Sequence, residues 1–157
     1  MPRITPWLWF DTEAQEAAEF YTSVFANSRV TDVSHYGENM PRPAGTVMTV
    51  SFELDGQEFV GLNGGPEFSF NESISFQIEC ADQAEVDHYW GRLSDGGKEG
   101  PCGWLTDRYG VSWQVVPRRL HELFRDPDQG RANRAVQAML RMQKIDIAAL
   151  ERAAEGA

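Results

Sequence analysis

The chain has 157 residues, of which 41% are hydrophobic and 24% are charged, and its formal net charge is −10. These proportions are typical of a folded globular protein and exclude a disordered chain. The apolar runs are only a few residues long, far short of the roughly 20 that a membrane helix needs. The acidic balance argues against binding nucleic-acid phosphates as the main activity. We therefore expect neither a membrane nor a nucleic acid as a partner.

The two cysteines, Cys80 and Cys102, show no repeated spacing. A disulfide framework needs more cysteines than this, so we expect both thiols to be reduced. The N-terminal sequence MPRITPWLWFD has neither an apolar signal core nor a small-residue cleavage site. These features predict a cytoplasmic protein.

The first half of the chain is predicted to contain one helix among several strands. Residues 4–10 are rich in aromatic and β-forming side chains, which favours a strand. Asp11 or Thr12 is predicted to cap a helix that ends near Ala26, because its apolar residues recur at three-and-four spacing. Alternation and the hairpin turn Asp55-Gly56 then predict further strands at residues 29–36, 46–54 and 57–62.

The same order of elements restarts after a connector at residues 63–71. Residues 73–80 alternate, which predicts a strand whose polar side chains all lie on one face: Ser75, Gln77 and Glu79. Asp82 is predicted to cap a helix that ends near Leu93. Strands are then predicted at residues 98–105 and 111–116. The chain therefore contains an internal duplication of a strand, a helix and two or three strands.

Beyond Pro117 the apolar period becomes helical, and Asp146 is predicted to cap the last of three helices. The apolar face of this tail is expected to pack on the helical side of the sheet or on a second subunit. The sequence predicts an α+β fold in which two βαβββ modules form cupped mixed sheets. We interpret the chain as one domain with three parts: module one (1–66), module two (71–117) and a C-terminal helical tail (118–157).

Four pieces of the sequence together resemble one family: TPWLWFDTEAQEAAEFYTSVF, SISFQIECADQAEVDHYW, GPCGWLTDRYGVSWQVVP and AMLRMQKIDIAAL. They look like the PhnB-like family of the vicinal oxygen chelate superfamily, which includes glyoxalase I, bleomycin-resistance proteins and extradiol dioxygenases. The resemblance covers essentially the whole chain. It implies paired βαβββ modules, each a cupped sheet around a cleft, in a homodimer.

The resemblance also implies where a metal would be held. Metal-using relatives place ligands near the start of each module's first strand and on its last strand. Here those positions fall at about Thr5 or Pro6, Ser75, Val60 or Gly61, and Gln114. Metal-using relatives carry Glu at the position of Gln114. Neutral amide and hydroxyl groups supply no charge to a divalent ion, so we expect no catalytic metal and no cofactor.

Six side chains on the predicted strands are expected to line a ligand-binding cleft: Trp7, Trp9, Ser75, Gln77, Trp104 and Gln114. Tryptophan side chains there could hold a flat or apolar ligand. The alternative is that most of these aromatic residues belong to the core.

Glu79 is the first of two candidate catalytic residues. If its face of the sheet is the interior of the cleft, its carboxylate could act as a base or a ligand; if that face meets solvent, it is only a surface charge. The three histidines, His35, His88 and His121, include no close pair at metal-ligand spacing.

Cys102 is the second candidate, because Asp107 and Arg108 are nearby in sequence and an arginine can lower the pKa of a thiol. No histidine is adjacent to serve as its base. The alternative is a packed cysteine beside a turn.

Three functional hypotheses follow. The first is a protein that binds an unidentified small molecule without a catalytic metal. The second is a metal-dependent lyase, isomerase or dioxygenase that uses ligands such as His35, Glu53 or Glu79. The third is a methyltransferase, because family members are often described as 3-demethylubiquinone-9 3-methyltransferases. It ranks last, because the segment DTEAQE after the first strand lacks the glycines that admit a cofactor in a Rossmann fold.

Overall fold

A computed structural model describes residues 2–156 of the protein. The chain divides into two compact units, with the boundary between Phe70 and Asn71. Each unit contains a four-stranded mixed sheet, and the two sheets have the same strand order. The predicted α+β fold class with two βαβββ sheets and a helical tail is confirmed.

The first unit forms its sheet in the order β1-β4-β3-β2. Strand β1 is parallel to β4, and the other two pairs are antiparallel. The elements are β1 (Trp7–Phe10), α1 (Ala14–Val24), β2 (Ser28–His35), β3 (Val47–Leu54) and β4 (Gln57–Asn63).

Helix α1 covers one face of this sheet through small side chains. Ala14, Ala17 and Ala18 are fully buried, as is Tyr21. A β-carbon at Gly61 of β4 would lie 3.1 Å from the β-carbon of Ala14, so glycine and alanine together set the close approach of helix and strand. The apolar face of the sheet is therefore buried against α1.

The start of α1 differs from the prediction. Neither Asp11 nor Thr12 caps the helix; its N-cap residue is Glu13, whose side chain makes no capping hydrogen bond. The amide of Ala14 instead donates to Oδ1 of Asn63, at 2.8 Å. Because β1 and β4 are neighbours in the sheet, the last residue of β4 lies beside the first turn of the helix.

The second unit repeats this arrangement in the order β5-β8-β7-β6, with β5 parallel to β8. As predicted, the Asp82 side chain caps the helix by accepting from the amide of Glu85. The elements are β5 (Ser75–Cys80), α2 (Gln83–Ser94), β6 (Lys98–Glu99), β7 (Trp104–Thr106) and β8 (Ser112–Pro117).

The prediction of one strand over residues 98–105 is wrong, because a turn at Pro101–Trp104 divides it into β6 and β7. The amide of Trp104 donates to the carbonyl of Pro101, at 3.0 Å. Cys102 and Gly103 have φ angles of 58° and 82°. A strand requires negative φ, so two successive left-handed residues end it.

The tail consists of α3 (Arg118–Phe124), α4 (Gln129–Met139) and α5 (Ile147–Glu155). Its apolar side chains pack with the end of β8 in one buried cluster: Val116, Leu120, Leu123, Ala135, Ile145, Leu150 and Ala154. Main-chain atoms also anchor the tail to the Pro101–Trp104 turn. The amides of Cys102 and Gly103 donate to the carbonyls of Met142 and Gln143, both at 2.8 Å. The tail therefore belongs to the core of the second unit.

Candidate functional site

One face of the second sheet is polar, and its residues come from three neighbouring strands. Gln77 of β5 lies opposite Gln114 of β8, which in turn lies opposite Trp104 of β7. Directly opposed residues point to the same side of a sheet, and so do residues two apart in a strand. We call this side the polar face; it carries Ser75, Gln77, Glu79, Trp104, Thr106, Ser112 and Gln114, and it ends at Val116, which is buried against the tail. It includes four of the six residues predicted to line the cleft.

Ser75 and Gln114, which the resemblance aligns with metal-ligand positions, bond to each other. Nε2 of Gln114 donates to Oγ of Ser75, at 2.9 Å. Both groups are neutral, and neither supplies the anionic charge that divalent ions require. The corresponding residue of the first unit is Val60, which lies opposite Trp7 as Gln114 lies opposite Gln77. These donors do not fit a divalent metal.

Over residues 2–156, no group of three or more His, Cys, Asp or Glu side chains is arranged to hold a metal ion. No helix in that range is both long and apolar enough to cross a membrane.

Ser112, the first residue of β8, has a buried hydroxyl without a partner in the described part of the chain. Its residue is 2% exposed, and its Oγ makes no hydrogen bond within the described chain. An unsatisfied buried hydroxyl costs about 1–3 kcal/mol, so an additional polar group at this position would be stabilising. Ser112 was not among the residues predicted to line the cleft; the available signal was its spacing of two from Gln114 in the predicted strand over residues 111–116.

Glu79 lies at the end of β5, where helix α3 begins beside it. Its Oε1 accepts from Nε of Arg118 at 2.9 Å, and both side chains are at least half exposed. Nε2 of Gln77 lies 3.5 Å from Nε2 of His121. These residues, with Glu122 and Arg125, line a pocket of about 410 Å³.

Arg118 and His121 were predicted only as part of the helical tail, and their contact with β5 was not predicted. That contact depends on the pairing of β8 with β5, so no local sequence signal indicates it.

Cys102 lines a different pocket, of about 370 Å³, together with Glu72, Trp104 and Thr106. Its side chain is partly buried. The structure therefore does not bring the two candidate catalytic residues, Cys102 and Glu79, into one pocket. Arg108, which the sequence suggested as a neighbour of Cys102, places its Nε 3.2 Å from the carbonyl oxygen of Asp95.

Cys80 lies on the opposite side of the sheet from the polar face and is fully buried. Desolvation raises the pKa of its thiol to about 12, with further contributions from the nearby carboxylates of Glu85 and Asp82. At neutral pH this cysteine is a protonated core residue.

Asp107 is a buried carboxylate that organises the turn between β7 and β8. Oδ1 accepts from the amides of Tyr109 and Val111 at 2.8 and 3.1 Å, and Oδ2 accepts from the indole of Trp113 at 2.9 Å. These contacts satisfy its polar atoms within the fold.

Trp7 and Trp9 lie on β1 of the first unit and differ in accessibility. Trp7 is 58% exposed. Trp9 is covered by the connector that follows β4: its indole donates to the carbonyl of Gly65 at 2.9 Å, and its ring lies 4.9 Å from that of Phe68 in an edge arrangement. Trp7 is thus the more accessible of the two.

The pair of βαβββ sheets defines a protein of the vicinal oxygen chelate class. A family model described as 3-demethylubiquinone-9 3-methyltransferase matches residues 2–116. The chain therefore belongs to that family, the PhnB-like family of the superfamily. The matched residues end before the helical tail.

Solved structures agree with this assignment. A PhnB protein from Bacillus cereus is 35% identical, with a TM-score of 0.66 over 74% of this chain and 99% of that chain. A protein from Pseudomonas aeruginosa is 20% identical, with a TM-score of 0.62 over 74% and 98%. The fosfomycin resistance protein FosX from Listeria monocytogenes is 15% identical, with a TM-score of 0.53 over 78% and 97%, and shares the fold. No functionally curated protein matches the chain.

Proposed function

We propose that the protein binds a small molecule on the polar face of the second sheet without a catalytic metal. The hydrogen bond between Gln114 and Ser75 carries this proposal, because it pairs two neutral groups at positions where metal-using relatives hold ligands. An amide and a hydroxyl recognise a ligand by hydrogen bonds rather than by Lewis acidity.

One further feature of the polar face supports ligand binding. The partly exposed Trp104 lies opposite Gln114 and offers a flat apolar surface beside these polar groups. An aromatic wall with a few convergent polar atoms is typical of small-molecule sites.

Metal analysis of protein purified without chelators tests the proposal against a metal-dependent lyase, isomerase or dioxygenase. We expect substoichiometric Zn, Mn, Ni and Fe in wild type and in Gln114→Ala. A stoichiometric metal that is lost in Gln114→Ala or Glu79→Gln would overturn the proposal. A ligand obtained by thermal-shift screening should bind wild type more tightly than Gln114→Ala.

A methyltransferase is disfavoured by the start of α1. In Rossmann-type enzymes the amides at this position face the cofactor across a glycine-rich turn. Here the Ala14 amide is taken by Asn63, and the segment between β1 and α1 contains no glycine. Calorimetry with S-adenosylmethionine should give no binding heat, and micromolar affinity would restore the methyltransferase hypothesis.

We propose further that the protein is a cytoplasmic homodimer. Strands β1 and β5 are sheet edges, and large apolar side chains beside or on them are exposed: Ile4, Trp7 and Ile74. Exposed apolar residues at strand edges favour association. Both cysteines are free thiols, which suits a reducing compartment. Light scattering at micromolar concentration should give the mass of a dimer, and a monomer would contradict the proposal.

A further inference from the structure

The pocket between β5 and α3, here called the α3 pocket, combines charged side chains from a strand and a helix. Its lining residues are Gln77, Glu79, Arg118, His121, Glu122 and Arg125, and its volume is about 410 Å³. Gln77 and Glu79 also belong to the polar face, and Gln77 lies directly opposite Gln114, so the α3 pocket adjoins the site proposed above.

The two carboxylates of the α3 pocket are already paired with arginines. Glu79 bonds to Arg118 at 2.9 Å, and Glu122 bonds to Arg119 at 3.1 Å. Arg125 makes no side-chain hydrogen bond or ion pair to any residue in the described range 2–156. Arg119 also bonds to Glu151 at 3.0 Å, so the pocket lining itself balances two carboxylates with two guanidiniums. Of these two guanidiniums, that of Arg125 is not in an ion pair over residues 2–156 and is the one open to a ligand.

The cationic and donor groups converge on one side of α3. Arg118 and His121 are three residues apart in α3 and share a helix face, and Arg125, the C-cap residue that follows the helix, lines the same pocket. Guanidinium groups bind carboxylate and phosphate oxygens through two parallel hydrogen bonds. The ion pair of Arg118 with Glu79 does not preclude this, because half-exposed pairs are weak and their side chains can reorient.

We propose that the α3 pocket binds an oxyanionic group of the ligand, with Arg125 as the primary contact and Arg118 as the second. This inference rests on the proposed function and assigns the ligand a class: a small organic anion that carries a carboxylate or a phosphate. Its uncharged part contacts Gln114 and Trp104, and its anionic end reaches α3.

The test is a titration with inorganic phosphate and, separately, with acetate, followed by the 15N–1H resonances of the arginine side chains. Sodium chloride at matched ionic strength is the control for screening. Arg125→Gln is compared with Arg141→Gln, which removes the same charge from an exposed position of the tail outside the pocket. Phosphate and acetate distinguish the two kinds of oxyanion.

Wild type and Arg141→Gln should bind at least one oxyanion with the same affinity, and Arg125→Gln should bind it about tenfold more weakly. Glu79→Gln should bind a few times more tightly, because it releases Arg118. Equal affinity of Arg125→Gln and Arg141→Gln, or oxyanion shifts no larger than those with chloride, would overturn the assignment.

The proposed function has a separate readout. Gln114→Ala should weaken the binding of a ligand found by screening but leave the affinity for inorganic phosphate unchanged. If oxyanions do not bind while the screened ligand still depends on Gln114, the oxyanion assignment fails and the proposed function stands. If the affinity for phosphate depends on Arg125 but the affinity of no screened ligand depends on Gln114, the proposed site on the polar face fails.

Discussion

Oδ1 of Asn63 accepts the amide hydrogen of Ala14 at 2.8 Å, so the last residue of β4 caps a helix that begins 49 residues earlier. The same side chain donates to the carbonyl of Val47 at 3.1 Å, and its main-chain carbonyl accepts from the hydroxyl of Tyr36 at 2.6 Å. One buried residue thus connects β4 to a helix, a second strand and a loop in the first unit.

Replacing Asn63 by alanine should lower the free energy of unfolding by about 2–3 kcal/mol. The substitution removes a helix cap and leaves buried main-chain groups without partners. Urea denaturation followed by circular dichroism measures the change. Asn133→Ala, at an exposed position of α4, is the matched control and should change stability by less than about 0.5 kcal/mol. An equal effect of the two substitutions on the free energy of unfolding would contradict the capping role of Asn63.

Gly97 and Gly91 should respond oppositely to alanine. A β-carbon at Gly97 would overlap the carbonyl oxygen of Thr106 and lie 2.7 Å from the carbonyl carbon of Asp107, both fixed main-chain atoms. At Gly91, on the exposed side of α2, no atom lies within 4 Å of the added β-carbon. Gly97→Ala should lower the free energy of unfolding by more than about 2 kcal/mol, whereas Gly91→Ala should raise it by up to about 1 kcal/mol. Thermal unfolding of both variants compares these values directly.

The two thiols should differ in reactivity. Because burial raises the pKa of Cys80 to about 12, its thiolate is scarce at any pH near neutrality, and its sulfur is inaccessible. In Cys102→Ala, Cys80 should react with iodoacetamide at pH 8 only after unfolding. In Cys80→Ala, the partly exposed Cys102 should be modified in the folded protein. Rapid modification of Cys80 in the native state would contradict the burial of that side of the sheet.

Asp87 should contribute to stability in a pH-dependent way. A hydrogen bond from Lys144, at 2.9 Å, and a second from Gln83 lower the pKa of its carboxyl group in the folded state. The stabilisation is therefore fully present above the unfolded pKa of about 3.9, and it is lost as pH falls through the lower folded value. Since the pair is exposed, the contribution should stay below about 1 kcal/mol. The stability difference between wild type and Asp87→Asn should be measurable at pH 7 and shrink as the pH falls below the unfolded pKa; a constant difference would refute the linkage.

Local sequence signals predicted much of the fold. The alternation of Ser75, Gln77 and Glu79 indicated which side chains share a face, and Asp82 and Asp146 cap the helices that they precede. These features depend on residues within one or two turns of each other. A period of two and a capping side chain can be recognised without knowing the tertiary structure.

Features that depend on strand pairing could not be predicted in the same way. The cap of α1 by Asn63 exists only because β4 lies beside β1, and the contact of Glu79 with Arg118 exists only because β8 pairs with β5. The turn at Cys102 that separates β6 from β7 was only partly predictable. The glycine that follows Cys102 is typical of a turn, but cysteine itself rarely adopts positive φ. The contacts of the candidate site were therefore less predictable than its strands.

The main-chain hydrogen bonds from Cys102 and Gly103 to Met142 and Gln143 have a consequence for synthesis on the ribosome. The sheet of the first unit is complete once Asn63 has emerged, so it can form early. The turn between β6 and β7 has its acceptors only after residue 143 has emerged. During that interval the apolar cluster around Val116 remains uncovered. The nascent second unit should therefore be the part of the chain that most needs a chaperone, and ribosome stalling between residues 117 and 142 should increase aggregation.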